Sequence, residues 1–215
     1  VIGDHVRKRE DSAFIPRPEV RGLLAPSSPL LRVKIEGIKP LLMHSTREMI
    51  ESQKRGKNAP KWTPEEEAQM GLYLNAEGEV VMPGMNLLAS MRRAATNFRV
   101  GGKGKKTFKD LVMSGLETVP EEPLLIGNWV VDLRPVVINR ARVLKARPRF
   151  DAWACEFQIK VIDPVFLDVN HGGSIVEEIL SYAGTRIGLG DFRPERGGPY
   201  GRFAVTKVDE VKPAP

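Results

Sequence analysis

An α+β domain is what this 215-residue sequence predicts, and three observations predict it. Two segments alternate apolar and polar residues, as half-buried strands do. Leu31, Val33 and Ile35 alternate with Arg32, Lys34 and Glu36, and Trp153, Cys155, Phe157, Ile159 and Val161 with Glu156, Gln158 and Lys160. Two other segments repeat at helical spacing: Leu87, Met91, Ala94 or Ala95 and Phe98, then Ile175, Ile179 and Leu180. The order is strand, insertion, helix, strand, strand, helix, strand, which is βαββαβ, the ferredoxin-like arrangement shared by RRM folds. That fold hosts many functions and decides none of them.

Residues 1–30 read as a flexible N-terminal arm: the second half of the segment before the first strand is rich in proline and glycine, the charges are mixed, and no periodicity runs through it. Its Arg7-Lys8-Arg9 is basic enough to touch nucleic acid, though basic termini are usually only solvated. Residues 31–208 read as a single RRM-like domain with a helical insertion at 45–82 and a basic β arm at 134–152. Within the insertion, Ser45 with Glu48 and Thr63 with Glu66 each have capping-box spacing, and Pro64 suits a first helical position. Pro83-Gly84 then turns the chain into the first core helix. Asn128 to Asn139 is apolar and β-branched, a strand leading into the basic arm. Ser174, with Glu177 three residues on, predicts the cap of the second core helix, and Arg202 to Val208 the last strand. Residues 209–215 read as a tail.

The net charge is +6, from 33 basic against 27 acidic residues, which favours an acidic partner such as nucleic acid. No apolar run approaches the length of a membrane span and no signal peptide precedes the first strand, so the expectation is a cytoplasmic protein without membrane contact. One cysteine, Cys155, excludes an internal disulfide framework, and three scattered histidines lack zinc-site spacing. No cofactor and no metal are expected.

Three stretches look built for an anion. Gly184 to Phe203 holds six glycines, two prolines and four arginines in twenty residues, so backbone amides and planar guanidinium forks can approach phosphate closely. The run Arg99 to Lys109 has five basic residues, including Lys103, Lys105 and Lys106, and no acid. Between Arg134 and Phe150 there are six basic residues and again no acid, where a solvated face would interleave both signs. Arg140, Arg142, Lys145 and Arg147 are the candidates there. Arg92 and Arg93 flank the apolar stripe of the first core helix, whose free N-terminal amides lie beside Pro83-Gly84.

These residues carry a resemblance. The chain resembles the RAMP superfamily of CRISPR-associated proteins, in its backbone-subunit branch. Three landmarks fall in the expected order: Pro40-Leu-Leu-Met-His44 after the first strand, Val81-Met-Pro-Gly-Met-Asn-Leu87 leading into a helix with arginines, and a glycine-rich loop ending Gly198-Pro-Tyr-Gly-Arg-Phe203. Each motif is short, and together they span residues 31 to 207. The resemblance implies that the loop before the last strand and the start of the first helix lie against guide RNA. By that implication Gly188, Gly190, Arg193, Gly201 and Arg202, with Met85 and Asn86, take those roles, and Arg196 and His44 are further candidates for contact with the nucleic acid. The helix start here reads Met85-Asn86-Leu87-Leu88 where the family has small hydroxyl residues and a lysine. The cutting branch carries an aspartate between the first strand and first helix, and this chain has none from His44 to Pro83.

The expected function is therefore a non-cutting subunit that polymerises along guide RNA in a CRISPR-type effector complex, with single-stranded RNA, other subunits and other copies of itself as partners. One alternative is a single-stranded DNA-binding or annealing protein of a mobile element or virus. Another is a metal-dependent phosphodiesterase using Glu65 to Glu67, Asp110 or Asp191. Consecutive carboxylates such as Glu65 to Glu67 point in different directions on a helix and suit its positive end better than one metal. Asp191, between Gly190 and Phe192, reads as an organiser of its turn. Replacing Lys103, Lys105 and Lys106 together by alanine is expected to weaken binding to all single-stranded sequences alike, because phosphate contacts carry no base information; fluorescence anisotropy on homopolymeric oligonucleotides checks this, and a loss confined to one sequence contradicts it.

Overall fold

The structure, a computed structural model, describes residues 28–55, 60–138, 140–167 and 174–211. Residues 1–27, with Arg7-Lys8-Arg9, and residues 212–215 lie outside the described set. Strand β1 (Leu30–Gly37) is central in the main sheet. It pairs antiparallel with β7 (Ala154–Val161) on one side and with β8 (Phe203–Val211) on the other. β3 (Leu116–Val119) and the two-residue β4 (Leu125–Ile126) both pair with β7, so the sheet runs β3-β7-β1-β8. Taken as second, third, first and fourth core strands, that is the antiparallel order of the ferredoxin-like, RRM-like α+β fold, and the fold class is as the sequence predicts.

The alternation read from the sequence sets the faces. Val33, Ile35, Cys155 and Ile159 are fully buried, and helices α3 (Gly84–Ala94) and α5 (Ile175–Tyr182) cover them with Leu87, Met91, Ala94, Ile175, Ile179 and Leu180. Each fully buried leucine or isoleucine contributes roughly 1.5–3 kcal/mol. The opposite face meets solvent with Arg32, Lys34, Glu36, Glu156, Gln158 and Lys160, several of them in ion pairs.

A second, three-stranded sheet, β2-β6-β5, is built from β2 (Leu41–Leu42) and the hairpin of β5 (Trp129–Ile138) and β6 (Ala141–Phe150). The second core strand is therefore Leu116–Val119 and not the long strand starting at Trp129. Four residues are too few to show a period, whereas β5 announces itself and belongs to the other sheet. Lys109–Gly115 forms a short helix, α4, directly before β3.

Helices α1 (Arg47–Arg55) and α2 (Pro64–Met70) make up the insertion. Thr63 and Glu66 close a capping box, Glu66 N donating to Thr63 Oγ1 at 3.2 Å and Thr63 N to Glu66 Oε2 at 2.8 Å. The box expected at Ser45 does not form: the Ser45 hydroxyl donates to Met70 O at 2.6 Å and accepts from Arg47 N at 3.4 Å, Ser45 N donates to Gly71 O, and Glu48 accepts from Lys145. Nor does Ser174 make a side-chain cap on α5. Residues 209–211 belong to β8 and not to a tail, since their backbone still pairs with β1.

The insertion also supplies the acids that the basic arm lacks in sequence. Lys145 Nζ lies 2.6 Å from Glu48 of α1 and 2.6 Å from Glu67 of α2. Burial pulls its ammonium down, but its hydrogen bonds to both glutamates and their charges more than offset this and hold the lysine above its ordinary range. Asp132, almost fully buried, accepts from Arg149 at 2.8 Å and from Arg134 at 2.9 Å. Burial raises its carboxyl, and the hydrogen bonds and charges of the two arginines together outweigh this, leaving it below the usual range.

The glycine-rich segment closes onto β2. Gly190 and Gly201 both have positive φ, +72° and +68°, and both are pressed on backbone: an added Cβ would lie 2.3 Å from Leu42 O at Gly190 and 1.8 Å from Leu189 O at Gly201. Gly201→Ala is expected to destabilise by at least about 2 kcal/mol, from strain plus steric overlap. Gly101→Ala, on an open turn, is expected to change stability by less than about 0.5 kcal/mol. Urea unfolding of the two variants measures both.

Candidate nucleic-acid interface

Helix α3 and the loop after α5 face each other across a groove with a volume of about 560 Å³. One wall is the α3 face at helical spacing: Met85 and Asn86, then Ala89 and Ser90, then Arg92 and Arg93. The other wall is Gly188 to Asp191 with Arg193, Glu195 and Arg196. Ser90 Oγ donates to Gly188 O at 3.0 Å and ties the walls together at the floor. His44 and Tyr73 stand at one end, where the Tyr73 hydroxyl donates to His44 O at 3.0 Å.

The groove thus gathers His44, Met85, Asn86, Arg92, Arg93, Gly188, Gly190, Arg193 and Arg196 from three separated parts of the chain. Its position at the start of α3, where amides of the first turn lack intrahelical acceptors, adds positive potential. Gly84 N is satisfied by Glu121 O at 2.7 Å and Asn86 N by Pro83 O at 2.8 Å.

Four arginines share this groove with two carboxylates, and both carboxylates are engaged. Glu195, with a side chain 12% exposed, accepts from Arg93 Nε and from Arg193 Nη2 at 2.8 Å. Burial pushes its carboxyl up, and the hydrogen bonds and charges of Arg93 and Arg193 outweigh this and hold it below 4.5. Arg193 also donates to Gly190 O at 3.0 Å, which fixes its fork along the loop. Asp191 accepts from its neighbour Phe192 N at 2.9 Å, the turn-organising role expected of it. Its other oxygen lies 3.0 Å from the buried Arg147 Nε, close enough for an ion pair but off the direction of a hydrogen bond. Arg92 and Arg196 are exposed cations of the groove with no carboxylate on them among the described residues.

The remaining sequence candidates lie elsewhere. Lys103, Lys105 and Lys106 are exposed on a turn closed by Val100 N to Lys106 O, beyond the C-terminal end of α3. Arg140 and Arg142 are exposed at the tip of the β5–β6 hairpin, Arg140 with φ +65°. Lys145 and Arg147 are held by carboxylates. Gly201 packs against the Leu189 backbone, and Arg202, exposed before β8, offers its carbonyl to Ile38 N and Lys39 N. The sequence did not point to Tyr73, Ser90, Met113 or Glu195 as groove residues. Ser90 was findable, one helical turn after Asn86, and Glu195 is the lone acid between Arg193 and Arg196.

The carboxylates of the phosphodiesterase alternative are dispersed. Glu66 is in its capping box, Glu67 is on Lys145 and Ala146 N, Asp110 is exposed on α4, and Asp191 is on the groove wall. Among the described residues, no three His, Cys, Asp or Glu side chains form a metal-sized cluster. No described helix is long and apolar enough to cross a membrane.

Glu195→Gln keeps the shape and removes the charge that two arginines share. It is expected to cost about 1 kcal/mol at pH 7, a modest value because Arg93 is well exposed. Since the folded-state carboxyl lies below its ordinary 4.5, the wild-type advantage is fully present above that pH and is lost as pH falls through the folded value. Thermal unfolding of both proteins between pH 7 and pH 3 tests the convergence.

Neither a protein-family model nor a curated protein sequence matches the chain. Among solved structures, it is similar to a chain in a cryo-EM structure of the type III-B Cmr-beta bound to cognate target RNA, at a TM-score of 0.50 and 12% identity. The match covers 86% of this chain and 61% of that one, so this chain spans less than two thirds of its neighbour's length. At that identity the likeness is one of fold, and the shared fold is the α+β, ferredoxin-like one.

Proposed function

We propose that the chain is a guide-RNA-binding subunit of a CRISPR-type effector complex, holding the phosphate backbone of single-stranded RNA in the groove between α3 and the glycine-rich loop. One observation carries this reading. Nine of the sequence candidates, four of them arginines and from segments as far apart as His44 and Arg196, line one groove. The fold likeness to a chain of an RNA-bound type III-B assembly supports it.

The chemistry is positional. Arg92 and Arg196 carry the free charge, and Glu195 holds Arg93 and Arg193 in fixed orientations so that little ordering is left for the moment of binding. Both groove carboxylates are occupied by arginine, which fits retention of a strand and not its cleavage. The reading treats residues 31–208 as one domain and extends to assembly. The β5–β6 hairpin carries Arg140 and Arg142 at its tip and exposes Leu133, Val137 and Leu144. A second copy bound head to tail across that hairpin would continue along the strand.

A 30-nucleotide fluorescein-labelled RNA is expected to bind with affinity falling steeply between 50 and 200 mM salt, roughly 0.7 log units per contacted phosphate per log unit of salt. Arg92→Ala combined with Arg196→Ala is expected to reduce that slope by about 1.4 and to leave folding intact. Mass photometry on RNAs of increasing length is expected to show mass rising in steps, and Arg140→Ala with Arg142→Ala to stop the rise at one copy. Salt-independent binding, or one fixed stoichiometry at every length, contradicts the corresponding part. Preference for DNA of the same sequence points instead to the single-stranded DNA alternative.

A further inference from the structure

Phe192 is the residue of the glycine-rich loop that phosphate binding leaves unexplained. Its φ is +48°, a left-handed conformation that bulky side chains rarely adopt and that persists only when the surroundings impose it. The surroundings do impose it. Phe192 N accepts no freedom: it donates to Asp191 Oδ1 at 2.9 Å, and Phe192 O accepts from Tyr200 N at 3.3 Å. Gly198 packs directly under it, where an added Cβ would lie 1.7 Å from Phe192 O and 2.6 Å from the ring carbon Cγ. Glycine at position 192 would satisfy this backbone without strain, yet the chain places an aromatic ring there and leaves it 47% exposed.

The ring is supported from the protein side. Tyr200, only 9% exposed, lies 6.1 Å away centroid to centroid at an interplanar angle of 35°. Arg134 Cζ sits 4.8 Å from the Tyr200 ring centre, and Asp132 holds that guanidinium in turn. The result is a rigid aromatic pair backed by a cation, with Phe192 as its open member. The residues on either side, Asp191 and Arg193, both line the arginine groove. Phe192 itself is not part of the groove lining, but adjacent Cα atoms are about 3.8 Å apart, which puts its backbone within the span of one nucleotide from the groove wall.

We propose that Phe192, braced by Tyr200, is a stacking platform for one unpaired base of the single strand whose phosphates occupy the groove. This rests on the nucleic-acid reading of that groove and adds to it a contact to a base. A flat exposed ring beside cationic forks matches the chemistry of a nucleotide, apolar on the face of the base and anionic at the phosphate. Such stacking is tolerant of sequence, because every base has a π-face. It supplies affinity that salt does not screen, unlike the arginine contacts.

The test uses two fluorescein-labelled 12-nucleotide strands, oligo(U) and an abasic ribose-phosphate strand of the same length, against wild type, Phe192→Gly and Phe192→Tyr. Glycine accepts the positive φ and removes the ring, and thermal unfolding confirms that the loop survives. Phe192→Gly is expected to bind oligo(U) roughly tenfold more weakly, Phe192→Tyr within about twofold of wild type, and all three to bind the abasic strand alike. The salt slope is expected to be unchanged. Phe192→Gly binding oligo(U) as wild type does overturns the platform and leaves the ring to a protein contact. An equal loss on both strands also overturns it, by showing that the substitution damaged the groove. Wild type binding neither strand brings down the nucleic-acid reading itself, and the platform with it.

Discussion

The carbonyl oxygens of the short segment between β1 and α1 fix the glycine-rich wall of the groove against the core sheet and the β5–β6 hairpin. Lys39 O accepts from Trp153 Nε1 at 2.9 Å, Pro40 O from Gly201 N at 2.7 Å, and Leu42 O from Asp191 N at 2.8 Å. Met43 N donates to Pro148 O at 3.0 Å from the same segment. Five residues of backbone thereby join the core sheet, the glycine-rich loop and the β5–β6 hairpin. Backbone groups are obligatory donors and acceptors, and a buried one left unpaired costs as much as a lost hydrogen bond. The loop therefore has little choice of position, and Gly190 and Gly201 are the residues that allow it to come so close.

Counting basic residues overstates the charge this protein has free to meet a ligand. The sequence between Arg134 and Phe150 holds six cations and no acid, yet folding brings Glu48, Glu67, Asp132, Asp151 and Asp191 against four of them. Lys145, Arg147 and Arg149 brace the hairpin, and only Arg140 and Arg142 at its tip keep the character that the stretch suggested. The same discount applies inside the groove, where Glu195 takes up Arg93 and Arg193 and leaves Arg92 and Arg196. Pairing has a use of its own, since a guanidinium held by a carboxylate presents its remaining donors in one direction.

Period and punctuation were legible from the sequence. β1 and β7 show strict alternation, α3 and α5 show an apolar stripe, and the element order gave the fold class. Illegible elements were those whose stability comes from contacts distant in sequence. β3 is four residues long and exists because β7 pairs with it; β2 is two residues long and exists because β6 does. Local pattern likewise could not show that Ser45 N would bond Gly71 O in place of Glu48, or that Glu48 would be drawn to Lys145. The site divides in the same way. Residues marked by glycine, arginine or a helix start were visible, whereas Tyr73 and Met113 became groove residues only through the packing of segments distant in sequence.

The face of the fold that carries the groove is set by what the sheet has done with its own surface. RRM domains that read RNA on the open sheet place exposed aromatics there to stack bases. In this chain the open face carries Arg32, Lys34, Lys160 and Lys207 against Glu36, Glu117, Glu156 and Asp209, and its aromatics Phe157 and Phe203 point into the core. Lys34 contacts Glu36 at 3.0 Å and Glu156 at 3.7 Å, Lys160 contacts Glu117 at 3.4 Å, and Lys207 contacts Asp209 at 2.8 Å. Such a balanced surface offers a polyanion neither net charge nor a stacking plane. The glycine-rich loop carries one of each, the exposed Phe192 ring and the exposed Arg196. The same βαββαβ scaffold thus carries its candidate interface at the loop-and-helix edge and leaves the sheet as a solvated wall.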